Sequence, residues 1–142
     1  MICDAHSHWL PEEIINNAHF FSKAWGDIEV QLKAMDEAGI DRAVLSYPTS
    51  DAHLKLGGAM QVAKVFNDNV AKIIARYPGR FIGAAILPVG NFQEMLDELK
   101  RATLELGFKA ISLASSYNGA YLDEEIFLPL YKEAAARKIP IF

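Results

Sequence analysis

The chain is short of cysteine, has no run of basic residues and has no long apolar stretch. Its one cysteine, Cys3, has no second thiol to pair with, so an internal disulfide is excluded and a reducing, cytosolic setting is the expectation. Within an apolar first strand, Cys3 reads as a small core residue. A net charge of −4 without a basic cluster argues against nucleic acid as a partner. No apolar run approaches the roughly 18 residues of a membrane span, and the start of the chain lacks the basic region and long apolar segment of a secretory leader. Hydrophobic residues make up 51% of the 142 positions and charged ones 23%. That balance is globular, and the length suffices for one domain with a real core.

Strand and helix patterns alternate from end to end. Ile2–Ser7 reads as a first strand, and a helical turn follows Pro11 within the irregular stretch 9–26. Asp27 is placed to cap a helix through Ala38 that buries Ile28, Leu32 and Met35, with Gly39 as its stop. Arg42–Tyr47 is a second strand, and 59–77 a helix with an apolar stripe through Val62, Val65, Phe66, Val70, Ile73 and Ile74. The near-continuous apolar run 80–87 suits a strand covered on both faces. Asn91 and Glu94 form a capping box for a third helix burying Phe92, Met95, Leu96, Leu99 and Leu106. Phe108–Leu113 is a fourth strand. Asp123 is expected to cap a short turn, Pro129 opens the main part of a helix over Leu130–Arg137, and Ile139–Phe142 begins a fifth strand.

Such alternation implies an α/β fold with a parallel sheet. Each unit takes about one-eighth of the ~250 residues of an eight-unit barrel, so the expectation is a (β/α)8 TIM barrel of which residues 1–142 hold the first four units and the start of strand five. A doubly wound open sheet is the alternative, but its Gly-rich phosphate turn after strand one is missing. In that place stand Asp4-Ala5-His6-Ser7-His8. Side chains two apart on a strand share a face, so His6 and His8 can aim both imidazoles at one point, which is half of a four-ligand site for zinc or a related divalent ion. Asp4 lies two residues earlier, placed either to orient a ligand or to serve as a structural carboxylate.

The motif Asp4-Ala-His-Ser-His-Trp-Leu-Pro11 has further company: Asn67-Asp68, Tyr77-Pro-Gly-Arg-Phe-Ile-Gly83, Leu87-Pro88, Leu106-Gly-Phe-Lys-Ala-Ile111, Asn118-Gly119, Leu122-Asp123 and Pro129-Leu130-Tyr131. In order and spacing these resemble the amidohydrolase-2 group of the amidohydrolase superfamily, which includes aminocarboxymuconate-semialdehyde decarboxylase and related aromatic-acid decarboxylases. The resemblance implies a divalent metal, usually Zn2+, at the C-terminal mouth of the barrel. Its ligands in the family are the His-x-His of strand one (here His6 and His8), a His after strand five and an Asp after strand eight. The expected role is hydrolysis, or non-oxidative decarboxylation, of a small organic acid, with the metal activating water and polarising a substrate oxygen.

On this reading the chain is an N-terminal half, completed by its missing C-terminal half or by self-association, and the remaining catalytic groups lie in that half. The alternative is an inactive half-barrel serving as an assembly module. Substrate-binding candidates are Trp9, Tyr47, His53 and Asn118. Thr49, Ser50, Ser115 and Ser116 also fall after strands two and four, while His19, Phe20, Phe21 and Trp25 either line a pocket or cover the barrel top. Asn67 and Asp68 are expected to pack or to tether a loop. No Arg lies between His8 and Gly39, where family decarboxylases often place one to grip a carboxylate.

Overall fold

A computed structural model describes residues 1–18, 22–48 and 56–142. Its strands are β1 (Cys3–His8), β2 (Arg42–Ser46), β3 (Phe81–Ala85) and β4 (Ala110–Ile111), all parallel and adjacent in chain order. A doubly wound sheet reverses its order at a switch point; this sheet does not, so the arrangement is that of successive barrel units. Residues 140–142 add the expected fifth strand. Phe142 N donates to Ile111 O at 2.8 Å and Leu113 N to Phe142 O at 2.8 Å, and Ile141 bridges Ile111 in parallel.

The helices on the connections are α1 (Glu12–Ile15), α2 (Ile28–Glu37), α3 (Ala59–Arg76), α4 (Phe92–Lys100) and α5 (Leu128–Arg137). Asp27 caps α2 by accepting from Glu29 N and Val30 N, and Gly39 turns the chain with a φ of 68° that a side chain would resist. Leu32, Met35, Val62, Phe66 and Val70 pack on Ala43, Leu45 and Phe81 of the sheet. Val44, Ala84 and Ala110, one residue out of phase, form a separate small cluster with Ile82 on the other face. No helix among the described residues is long and apolar enough to cross a membrane.

Several expectations shift. Cys3 is exposed, because β1 pairs on one side only, with β2, and none of its residues is fully buried. On α4 and the helical turn Arg101–Glu105 that continues it, the buried stripe is Met95, Glu98, Leu99 and Ala102, at i, i+3, i+4 and i+7, and Phe92, at its edge, is exposed. Asn91 does cap α4, accepting from Gln93 N and Glu94 N. Asp123 caps nothing: the 3-10 turn Glu125–Phe127 follows Glu124 and has no side-chain cap. The short hairpin of β5 (Ser116–Tyr117) and β6 (Ala120–Tyr121) was not anticipated. Its Asn118-Gly119 turn, with φ of 50° and 86°, is the pairing that two-residue hairpins favour.

Gly83 on β3 lies under the Phe108 ring; a Cβ there would stand 2.5 Å from the ring edge. Phe108 is 2% exposed and held by its neighbours. Gly83→Ala is therefore expected to cost about 1–3 kcal/mol through overpacking, read as a lower urea midpoint at unchanged slope. A neutral result would mean that Phe108 has room to move.

Candidate metal centre

β1 ends on the two imidazoles. His6 Nε2 and His8 Nε2 are 3.1 Å apart and the rings meet edge to face, with centroids 4.7 Å apart and planes at 82°. Two nitrogens each about 2.0–2.1 Å from one ion stand about 3 Å apart, so the observed separation fits joint ligation. Among the described residues no group of three or more His, Cys, Asp or Glu is placed to hold an ion. The described residues thus bring together two imidazole donors.

His8 is anchored on its other side. Its Nδ1 is 3.0 Å from Ser46 O and 3.1 Å from Ser46 Oγ, and Trp25 stacks over the ring at 5.8 Å. Strand register explains this, since His8 pairs directly with Ser46 at the ends of β1 and β2. Asp4 acts differently: its Oδ1 accepts from the backbone N of His6 at 3.0 Å. The carboxylate braces the strand, which is the structural one of its two expected roles. Asp4 pairs with Ala43, three residues before Ser46, whereas Asp4 and His8 are four apart. The irregularity between Asp4 and Ser7 thus breaks the alternation that would have put them on one face.

The imidazoles open into a cavity of about 340 Å³ whose wall includes Ser46, Tyr47, Pro48, Ser112–Ser116 and Phe142. These residues lie at the C-terminal ends of β1, β2, β4 and the fifth strand, the catalytic end of a β/α barrel. The described wall contains no Lys, Arg, Asp or Glu. Tyr47 is in place, buried with its ring against Phe66 at 5.3 Å. Trp9 is not: it is 7% exposed in the core, and its indole Nε1 donates to Gly26 O at 3.0 Å, because α1 and the turn at Lys23–Gly26 close over it. Asn118 is exposed at the hairpin tip and does not line the cavity. His53, His19, Phe20, Phe21, Thr49 and Ser50 lie outside the described residues. Ser46, Ser112 and Phe142 were missed; the usable signal for Ser46 was its place as the last residue of β2.

Behind the mouth, Asn67 is fully buried and grips Ile86, the residue after β3. Its Oδ1 accepts from Ile86 N at 3.1 Å and its Nδ2 donates to Ile86 O at 3.0 Å and to Glu98 Oε1 at 2.7 Å. Arg101 forks onto Glu98, with Nε and Nη2 at 2.8 Å from its two oxygens, and reaches Asp68 at 2.6 Å. The Glu98 hydrogen bonds hold the Arg101 guanidinium above its already high ordinary range. The tethering expected of Asn67 and Asp68 is what they do.

At the other end of the strands, a hollow of about 480 Å³ between α2 and α3 has its charges paired, Arg76 with Glu29 at 2.9 Å and Arg80 with Asp36 at 2.7 Å. The Tyr77 hydroxyl donates to Glu29, which raises the phenol above its ordinary pKa. This end reads as structural.

A family model described as amidohydrolase matches residues 3–142. The 2-amino-3-carboxymuconate-6-semialdehyde decarboxylase of Dictyostelium discoideum is 31% identical over 123 residues, covering 85% of this chain and 34% of that protein. A gamma-resorcylate decarboxylase of Polaromonas sp. (strain JS666 / ATCC BAA-500) is 31% identical over 140 residues, covering 90% of this chain and 42% of its own length. The chain thus spans well under two thirds of these curated relatives. The crystal structure of a dihydroxybenzoic acid decarboxylase from Polaromonas sp. JS666, with bound manganese and the inhibitor 2-nitroresorcinol, superposes with a TM-score of 0.81 at 24% identity, over 99% of this chain and 48% of that one. At that identity the likeness is one of fold.

Proposed function

The chain belongs to the amidohydrolase family, and from that premise we propose that it forms the His-x-His side of the metal centre in a non-oxidative decarboxylase acting on a small aromatic or unsaturated carboxylic acid. The observation that carries the reading is the convergence of His6 and His8 Nε2 at 3.1 Å on the mouth of the sheet. Decarboxylation is preferred to hydrolysis because the curated relatives above are decarboxylases.

His6 and His8 would hold a divalent ion. Imidazole accepts several such ions, so manganese, present in the solved relative, stands beside zinc. The bound ion would supply Lewis-acid polarisation of a substrate oxygen. Asp4 keeps the strand end in shape, Trp25 covers one face of His8, and Tyr47 with Ser112 and Ser116 offers a neutral wall for a planar substrate. In the reaction the carbon–carboxyl bond breaks, CO2 leaves and the carbon keeps the electron pair and takes a proton. We assign that proton delivery, and the remaining ligands, to the second half of the barrel. A reducing cytosolic setting belongs to the same proposal and is supported by the exposed, unpaired Cys3 thiol. No observation favours a non-catalytic assembly role.

The test is CO2 release from a dihydroxybenzoic acid by the assembled barrel, with Mn2+ or Zn2+ added. Metal-dependent release that a chelator abolishes is the expected result. Metal-dependent cleavage of an ester or amide, with no CO2 from any aromatic or muconate-type acid, would overturn the decarboxylase reading.

A further inference from the structure

A neutral imidazole binds a metal through Nε2 only when its proton sits on Nδ1. Something must therefore select that tautomer for His8. Ser46 is 4% exposed and meets His8 with both of its oxygens. Its Oγ is also 3.1 Å from the carbonyl oxygen of Ser7, which has no proton to give, so the Ser46 hydroxyl donates there. With its only proton committed to Ser7, Oγ faces His8 Nδ1 as an acceptor. The Ser46 carbonyl oxygen, 3.0 Å from the same nitrogen, is an acceptor by nature. If Nδ1 were unprotonated, its lone pair would face two others inside a part-buried site, an arrangement that costs the desolvation of each group.

We propose that Ser46 is the positioning residue of this site: it holds His8 in the Nδ1–H tautomer and so keeps Nε2 free for a divalent cation. This rests on the metal-centre reading above.

The first measurement needs no variant. Long-range 15N–1H NMR on protein labelled in histidine should show His8 protonated on Nδ1 both before and after Zn2+ is added. His8 found protonated on Nε2 would overturn the proposal. The second measurement is Zn2+ titration. Ser46→Ala removes Oγ but keeps the backbone carbonyl as an acceptor for Nδ1, so it should lower affinity about tenfold while His8 stays mainly protonated on Nδ1, and Ser46→Thr, which keeps the hydroxyl, should restore the affinity. An unchanged affinity in Ser46→Ala would overturn it too, as would equal loss in Ser46→Thr. His8→Ala separates the two levels. If Zn2+ binding survives His8→Ala, the metal-centre reading itself falls; if it is lost there but unchanged in Ser46→Ala, only the role of Ser46 falls.

Discussion

His8→Ala is expected to lower affinity for Zn2+ or Mn2+ more than about 100-fold, exceeding the 10–100-fold typical of losing a group that merely supports a ligand. His6→Ala should match it, and the double variant should add little, because one imidazole alone no longer chelates. Neither ring fills the core: His6 is exposed and His8 half-buried, so thermal stability should move by less than about 1 kcal/mol, as for other surface changes. In the assembled barrel, losing the Lewis acid removes several kcal/mol of transition-state stabilisation, roughly a thousandfold or more in kcat. Metal content by elemental analysis and turnover by CO2 release check the two halves of this expectation. Full metal occupancy in either single variant would mean that the convergence of the rings has another purpose.

Arg101→Met, outside the site, should be strongly destabilising. Glu98 is 2% exposed and Arg101 only 24%, and the guanidinium meets both carboxylate oxygens. Removing one partner of such a pair strands a charge in a place water barely reaches, which costs about 3–5 kcal/mol. Asn67 still donates to Glu98 Oε1, which places the loss toward the lower end of that range. Glu98→Gln keeps the acceptor for Asn67 and removes the stranded charge. The double variant Glu98→Gln with Arg101→Met should therefore be more stable than Arg101→Met alone, the non-additivity expected of residues in one network. Urea unfolding of the four proteins reads the cycle. A cost under about 1 kcal/mol for Arg101→Met would show that the pair behaves like a surface salt bridge.

Much of the fold was legible because period and punctuation act locally. Asp27 and Asn91 cap where short polar side chains can reach the first free N–H groups. The stripe of α3 emerges where Val62, Phe66, Val70 and Ile73 recur at helical spacing. Where these local signals misled, a tertiary neighbour had intervened. Phe92 is apolar, yet the buried face of its helix is turned away from it toward Glu98, which Arg101 and Asn67 are there to receive. Trp9 adjoins the metal motif in sequence, yet it turns into the core, where the Gly26 carbonyl satisfies its indole.

The site divides the same way. From the sequence alone, two histidines one residue apart at the end of a first strand already had to share a face, because strand side chains repeat every two residues. That brought the two imidazoles together and placed them at the mouth of the sheet. Only the tertiary structure decided which nitrogens converge, that Asp4 braces backbone instead of a ring, and that Ser46 and the Ser112–Ser116 segment form the surroundings. Those outcomes depend on register between strands 38 residues apart and on an irregularity within β1, and neither is set by the spacing of residues along one strand.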